Sequence, residues 1–225
     1  MNDSRDEKMI RVQVESGGKF MVYSSEVSLQ RILTDAGTHP LLMDAMQGWT
    51  TWQKRNSITM LQVLRTPAAS APFLAALLAC GAEVLVDEDA QPLSEFMERS
   101  DRSRAGVSAI RIPVMEGQRS GMAAVNATPT DMPIVAAFAT LSFSDNSVQD
   151  ARIALTGVWQ KAASLAKAAK DLQGAALTPE AIDQAAAAVE AEAVPRANFQ
   201  GSEAYRRAMA AVTVRRALAA CVKGA

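Results

Sequence analysis

The residues that most often carry enzymatic or metal chemistry are scarce in this sequence. His39 is the only histidine, and Cys80 and Cys221 are the only cysteines. One histidine and two scattered cysteines cannot build a usual zinc site, and a hydrolase triad would have to use His39. We therefore predict that the chain holds no metal. Both cysteines stand in stretches rich in alanine and leucine, which is typical of small buried side chains in a reducing compartment.

His39 and a pair of tryptophans are the remaining candidates for local chemistry. His39 directly precedes Pro40 at a predicted helix start. We interpret it as a capping or surface residue, with a general base as the alternative. A helix running on to Trp52 would place Trp49 and Trp52 about one turn apart on one face. Core or subunit-interface packing explains such a pair, and the wall of a small-molecule pocket is the alternative.

The composition excludes several classes of protein. Among 225 residues, 24 are acidic and 23 are basic, so the chain lacks the basic surplus of a general nucleic-acid binder. The hydrophobic share of 49% is too high for disorder. No run reaches the ~18 apolar residues that predict a membrane span, and the charged start MNDSRDEK is not a secretory signal. We predict a cytoplasmic protein of one large or two small domains.

The first half is predicted to mix strands and short helices. Residues 1–9 are predicted to be a solvated tail, and the alternation from Ile10 to Val14, followed by Gly17-Gly18, predicts a hairpin that returns through residues 19–23. Ser28 is a candidate cap for a helix that Gly37 would end. Further predicted elements are a helix from Pro40 toward Trp52, a strand or buried loop near residues 58–64, a helix at 67–78 ended by Gly81, a strand at 82–86 and a short helix at 92–98.

The second half is predicted to be a meander followed by helices. Its predicted strands are 107–114, 121–126, 134–143 and 148–156, and its predicted helices are 161–172, 179–193 and 202–222. The resulting fold class is α+β. We expect a mixed sheet with flanking helices in residues 10–103. A three-stranded antiparallel sheet with a three-helix bundle is expected in residues 104–225, beyond a charged link at 100–104.

Several segments, taken in order, resemble one known family. They are ARIALTG at 151–157, LTPEAI at 177–182, GSEAYRR at 201–207 and VRRAL at 214–218, preceded by CGAEV at 80–84, PLSEF at 92–96 and IRIP at 110–113. Together these segments resemble the FAD-binding (medium) subunit family of molybdenum hydroxylases, of the carbon monoxide dehydrogenase and xanthine dehydrogenase type. The resemblance spans roughly residues 10–222. It implies the fold of that subunit, FAD as cofactor if the family function is retained, and molybdopterin and iron–sulfur subunits as partners.

The sequence departs from the family at the positions that would serve the cofactor. The resemblance implies an N-terminal subdomain with a glycine-rich loop for the FAD pyrophosphate, and this sequence begins after the point where that subdomain would end. Where the family has a Thr-Ile-Gly-Gly-Asn type of loop, SITMLQ stands at 57–62, with Met60 and Leu61 in the places of the glycines. Their side chains would obstruct the close approach of backbone and nucleotide. Ser70 replaces an acidic residue of the family, and Tyr23-Ser24 replaces a Gly-Ala pair.

These departures predict that the fold is kept and that FAD binding is lost. The remnant loop, formed by Thr59, Met60, Leu61 and Gln62, is then not functional for FAD, and no cofactor is expected. Under the leading hypothesis the chain is a flavin-free binding or assembly subunit, beside molybdenum hydroxylase subunits or as a homo-oligomer.

Two other hypotheses stay open. The chain could be a genuine FAD electron-transfer subunit of a molybdopterin-dependent dehydrogenase, with the absent subdomain supplied by another chain. It could also be a repurposed enzyme that binds a small apolar substrate in the vacated flavin cleft. The cleft would then be lined by Met60, Leu61, Trp49 and Trp52, and the substrate polarised by His39, Tyr23 or Ser70.

Overall fold

The computed structural model describes residues 9–15, 18–87, 89–100, 106–145 and 147–223. Its first sheet has five strands, which are β1 (Ile10–Glu15), β2 (Gly18–Ser24), β3 (Glu83–Val86), β4 (Asp89–Pro92) and β5 (Val107–Val114). Their order is β1-β2-β5-β3-β4. Every neighbouring pair is antiparallel, whereas the sequence predicts a mixed sheet. The predicted α+β class is confirmed with that refinement.

The predicted hairpin is present, and β1 pairs with β2 from Ile10 opposite Tyr23 to Glu15 opposite Gly18. Gly17, the first residue of the predicted Gly-Gly turn, lies outside the described residues. The predicted boundary at 103/104 also lies outside them. Strand β5, predicted to open the second half, is the central strand of the first sheet, where it pairs with both β2 and β3. Strand β4 was not anticipated, because DAQP carries no strand-like alternation of apolar residues.

Arg111 connects the central strand β5 to three other strands of the first sheet. Its Nε lies 2.6 Å from a carboxylate oxygen of Glu83 on β3, and its Nη1 lies 2.7 Å from Glu15 on β1. The guanidinium also stacks over the Phe20 ring on β2, 4.3 Å from its centroid. These contacts fix the face of the sheet that is turned away from the main core.

Four short helices follow the hairpin: α1 (Leu29–Thr34), α2 (Pro40–Asp44), α3 (Trp52–Ser57) and α4 (Met60–Arg65). Ser28 caps α1 as predicted, since its side chain accepts from the Arg31 N–H. The helix ends at Thr34, before the predicted stop at Gly37. The prediction of one helix from Pro40 to Trp52 is wrong. Helix α2 ends at Asp44, Gly48 then has a φ of +82°, and Thr51 caps a new helix.

Helix α5 (Ala71–Ala79) is the buried centre of the chain, and all nine of its residues are buried. A 3₁₀ turn, Pro67–Ser70, leads into it, so the predicted helix from Pro67 is present in two parts. Gly81, with a φ of +68°, follows its last turn as predicted. The helix packs on strands of the second sheet and on the short helices of the first half, which joins the two halves into one core. The short helix α6 (Leu93–Glu98) follows β4.

The second sheet has four antiparallel strands, in the order of the sequence, where three are predicted. They are β6 (Arg119–Val125), β7 (Val135–Ser144), β8 (Ser147–Thr156) and β9 (Ala163–Leu165). The turn between β7 and β8 includes Asp145, whose φ is +49°, while Asn146 lies outside the described residues. Strand β7 is buried on both faces over its first eight residues, since helices cover one side of the sheet and α5 covers the other.

Two long helices follow the second sheet, α7 (Pro179–Glu192) and α8 (Glu203–Lys223). Helix α8 packs on β6 and β7 and covers the outer face of the sheet, and α7 packs on α8 and on the 3₁₀ helix that precedes it. Thr178 caps α7, with Pro179 at its first position, as predicted. The prediction of a further helix at 161–172, which would complete a three-helix bundle, is wrong. This stretch contains strand β9 and a 3₁₀ helix, Lys167–Leu172, because β9 completes its hydrogen bonds on the edge of β8 and overrides the helical propensity of alanine.

Candidate functional site

The remnant loop is a helix start whose backbone donors are all used inside the chain. Thr59 and Gln62 form a capping box at α4: the Thr59 N–H donates to Gln62 Oε1 over 2.9 Å, and the Gln62 N–H donates to Thr59 Oγ1 over 3.4 Å. The Met60 N–H donates to the carbonyl of Val27 over 3.0 Å. The Leu61 N–H donates to the carbonyl of Ser25 over 2.8 Å. The first N–H groups of a helix have no acceptor within the helix itself, and here the capping box and the carbonyls of Val27 and Ser25 supply the acceptors.

These residues do not fit the nucleotide-binding role that the family resemblance implies. A phosphate at a helix start is held by free N–H groups, and the four donors described above already have partners. The Met60 side chain is fully buried in the core, and Leu61 is half-buried. The prediction of a strand or buried loop near residues 58–64 is wrong, because Met60–Arg65 form a capped helix.

The residues predicted to line a vacated flavin cleft do not come together. Trp49 is buried, and its Nε1 donates to the carbonyl of Ala45 over 2.8 Å. Trp52 begins the next helix and is 62% exposed. The prediction that one helix carries both tryptophans on one face is thus wrong. Ser70 is buried at the start of α5, and its Oγ has no hydrogen-bond partner among the described residues.

Tyr23 and His39, by contrast, are brought to one place. His39 is the N-cap of α2, where its Nδ1 accepts from the Leu41 N–H over 3.2 Å. The same Nδ1 lies 3.6 Å from Cys80 Sγ at the end of α5. Tyr23 on β2 is fully buried, and its hydroxyl has no hydrogen-bond partner in the described part of the chain. The neighbouring Thr38 hydroxyl donates elsewhere, to the carbonyl of Ile32 over 2.7 Å.

A cavity of about 280 Å³ opens beside these two side chains. Its walls come from β2, the α1–α2 connection and the end of β5 with the turn that follows. The lining residues are Met21, Tyr23, Gly37, Thr38, His39, Pro40, Ile112, Pro113, Val114, Met115 and Gln118. None of them is an acidic residue, a lysine or an arginine. The absence of a side chain at Gly37 matters here, because a Cβ at this position would lie 2.7 Å from Met21 Cε.

Burial sets the protonation of the titratable groups around the cavity. It raises the pKa of Tyr23 to about 12, so the phenol stays protonated at neutral pH. Burial also lowers the pKa of His39, against the opposing influence of Gln118 and Asp44, so the imidazole is neutral. Cys80 is fully buried, and burial raises the pKa of its thiol to about 12. A thiol that stays protonated is no nucleophile. The Cys80–His39 contact is therefore structural.

The prediction of His39 as a capping residue is confirmed, and both cysteines are free and buried as predicted. Sequence reasoning missed Gln118 and Met115, because they lie in a turn far from Tyr23 in the chain. It also missed the structural role of Arg206. Arg206 is only 5% exposed, and its guanidinium donates to the carbonyls of Ile134 and Gly157 over 2.8 and 2.9 Å.

Within the described residues, no group of three or more His, Cys, Asp or Glu side chains is arranged to hold a metal ion. None of the described helices combines the length and the apolar character needed to cross a bilayer.

A part of the second half of the chain is similar to a known protein family. Residues 123–221 match the family described as CO dehydrogenase flavoprotein C-terminal domain. No curated protein sequence matches the chain at a significant level.

Solved structures extend the likeness to the whole chain. Carbon monoxide dehydrogenase from Hydrogenophaga pseudoflava aligns with a TM-score of 0.84 at 23% identity, over 99% of this chain and 80% of that one. Reconstituted CO dehydrogenase from Oligotropha carboxidovorans aligns with a TM-score of 0.80 at 23% identity, over 96% and 79%. Quinoline 2-oxidoreductase from Pseudomonas putida 86 aligns with a TM-score of 0.80 at 20% identity, over 95% and 78%.

The domain match and the shared fold agree with the segments quoted from the sequence. Residues 123–221 match the CO dehydrogenase flavoprotein C-terminal domain, and the chain shares the fold of the solved structures. The predicted resemblance to the FAD-binding (medium) subunit family of molybdenum hydroxylases is confirmed.

Proposed function

We propose that this chain is a flavin-free relative of the FAD-binding subunits of molybdenum hydroxylases and acts as a binding or assembly subunit. One observation carries the proposal: each of the four N–H groups from Thr59 to Gln62 has a hydrogen-bond acceptor within the chain. The family's nucleotide would need those donors or the space beside them. The capping box and the contacts to Val27 and Ser25 give this segment a structural role in place of a cofactor role.

An exposed aromatic residue on a rigid turn supports the interaction role. Phe199 is 96% exposed, in a turn closed by reciprocal backbone hydrogen bonds between Asn198 and Gly201. The Arg206 Nη2 donates to Asn198 Oδ1 over 2.7 Å and so anchors this turn to the buried part of α8. Under this proposal, Phe199 would be an anchor for another subunit, because aromatic side chains dominate the energetics of such contacts and the turn already holds its backbone in place.

The flavin-free part of the proposal is tested on the purified full chain. We expect no flavin absorption band in the visible spectrum, and no quenching of FAD fluorescence when the protein is titrated into the nucleotide. A CO dehydrogenase flavoprotein, treated in the same way, is the positive control. Copurification of FAD near one molecule per chain would overturn the proposal and favour the FAD electron-transfer subunit.

The assembly part is tested by affinity purification of the tagged full chain with coexpressed molybdopterin and iron–sulfur subunits. We expect a stable complex, and we expect Phe199→Ser to reduce its yield at least several-fold, because hot-spot aromatics dominate such contacts. Trp52→Ser, at an exposed aromatic residue that begins helix α3, is the matched control. A chain that stays monomeric and captures neither subunit would contradict this part while leaving the flavin result untouched.

A further inference from the structure

We propose that the cavity beside Tyr23 and His39 is a binding site for a small uncharged molecule with an apolar body and a carbonyl or similar hydrogen-bond acceptor. This site goes beyond the assembly role proposed above and does not depend on it. It is also separate from the remnant loop, since none of the residues from Thr59 to Gln62 lines the cavity.

The first argument is the Tyr23 hydroxyl. The side chain is fully buried and forms part of the cavity wall, and its hydroxyl has no hydrogen-bond partner in the part of the chain that the structure describes. Buried polar atoms are nearly always paired in native proteins, so an unpaired one calls for an explanation. An acceptor bound in the cavity supplies the missing partner.

The second argument is the tautomer of His39. Its Nδ1 accepts from the Leu41 N–H and faces the Cys80 thiol, so this nitrogen carries the lone pair. In the neutral ring the proton then sits on Nε2, which becomes a donor. A side-chain hydrogen bond with Gln118 also acts on His39. The Tyr23 hydroxyl is therefore the donor of the site that lacks a partner in the described part of the chain, with the His39 ring and the Gln118 side chain beside it.

The third argument is the lack of charge in the lining. The remaining walls are apolar and include Met21, Ile112, Pro113 and Met115. The carboxylates of Asp35 and Asp44 act on the pKa values of Tyr23 and His39, respectively, but neither residue lines the cavity. An ion would lose its hydration there without gaining an opposite charge. Neutral donors on an apolar wall suit a neutral amphipathic ligand.

Another cavity shows by contrast why this one calls for a ligand. It measures about 370 Å³ and is lined by Pro67, Leu74, Met97, Glu98, Lys161 and others. Its charged groups, Glu98 and Lys161, pair with each other. It therefore has its charges matched without any ligand, whereas the Tyr23 hydroxyl has no such match.

The test uses three probes of nearly equal shape and different charge: benzamide, benzoate and benzamidinium. Each is titrated into the full chain in its purified form, and binding is followed by chemical-shift changes of backbone amides at Gln118, Met115 and Gly37. We expect benzamide to bind in the millimolar range, and both ions to bind at least about 10-fold more weakly because they lose hydration.

Variants test whether the Tyr23 hydroxyl is responsible for benzamide binding. Tyr23→Phe keeps the ring and removes the donor, and we expect the benzamide Kd to rise about 3- to 10-fold. Ser142→Ala is the matched control, because the Ser142 Oγ is also buried and unpaired but lies in the second sheet. Met115→Trp, at a 39% exposed position on the rim, should block the cavity without touching the hydroxyl.

Several outcomes would overturn the site. One is the absence of chemical-shift changes with benzamide up to its solubility limit, and another is equally tight binding of the charged probes. A third is an unchanged benzamide Kd in a Tyr23→Phe variant that has the native melting profile. Any of these would mean that solvent alone satisfies the hydroxyl. Adding FAD to the benzamide complex separates the two proposals. FAD that binds without displacing benzamide contradicts the flavin-free role only, and FAD that displaces it shows that the cavity is part of a nucleotide site.

Discussion

The two sheets of this molecule are packed in different ways. The second sheet lies against α8 at backbone distance: a Cβ added to Gly121 on β6 would lie 2.2 Å from the carbonyl oxygen of Ala217. Large side chains such as Tyr23, Phe73 and Phe96 fill the core around the first sheet, and a cavity remains at its edge. The family match covers residues 123–221, within the closely packed region, while the first sheet is recognised through its fold.

This difference in packing explains why the sequence match to the family is confined to the second half of the chain. Contact between a strand and a helix at backbone distance admits only the smallest residues, and at Gly121 only glycine, so the permitted residue types are few. Packing among large side chains admits many combinations of similar volume. The helix start at Thr59 can therefore change from a loop of the family type to a capped helix without loss of the surrounding fold.

The largest change in the free energy of unfolding is expected at Arg206, the buried arginine that joins α8 to the second sheet. Arg206→Ala removes the donors to the Ile134 and Gly157 carbonyls and to Asn198, and leaves buried acceptors unpaired. We expect the free energy of unfolding to fall by about 3 kcal/mol, measured by urea denaturation. Arg216→Ala, at an exposed position of the same helix, should change it by less than about 0.5 kcal/mol. Equal effects of the two variants would show that Arg206 is not the anchor of this region.

Local signals allowed much of the fold to be predicted from the sequence. The β1–β2 hairpin, the caps at Ser28 and Thr178 and the stop at Gly81 each depend on a few adjacent residues. The stretch 161–172 could not be predicted in this way. Its alanines favour a helix, but the open edge of β8 offers Ala163–Leu165 a full set of strand partners.

The candidate site was predictable only in part. His39 was recognisable as a cap from the proline after it. Its contact with Cys80, however, joins residues 41 positions apart, and nothing local marks it. The hydroxyl of Tyr23 was named as a candidate, but its lack of a partner depends on how Thr38 is bonded. The pairing of the helix start with Val27 and Ser25 likewise depends on tertiary structure.

A substitution at Gly121 tests the packing distance itself. Gly121→Ala would force the strand away from Ala217 and Ala220, and we expect a loss of about 2 kcal/mol in the free energy of unfolding. Gly117→Asn is the matched control, because Gly117 has nothing within 4 Å of an added Cβ and asparagine tolerates its φ of +70°. If Gly121→Ala left stability unchanged in urea denaturation, the contrast between the two regions would fail.

The capping box tests the first region on the same scale. Thr59→Ala removes the acceptor for the Gln62 N–H, and we expect a loss of about 1 kcal/mol. Thr59→Ser keeps the hydroxyl and should restore most of the stability. The serine variant separates the hydrogen bond from the packing of the side chain. A loss of the same size in both variants would show that the cap contributes little and that α4 is held by its buried face alone.

The smallest effect is expected from the titration of His39. Burial lowers its pKa below the ordinary 6.5, so the unfolded chain binds a proton at a pH where the folded chain does not. Its contribution to stability is therefore complete above pH 6.5 and is lost as the pH falls through the lower pKa of the folded state. His39→Asn keeps a capping side chain and removes the titration. Burial raises the pKa of Asp44, which interacts with His39, but this carboxyl group is present in both chains. Between pH 7.5 and 5.5 the urea midpoint of the native chain should therefore fall more than that of the variant. Parallel curves would show that His39 is solvated, and that the first sheet is as open to water at this edge as at its surface.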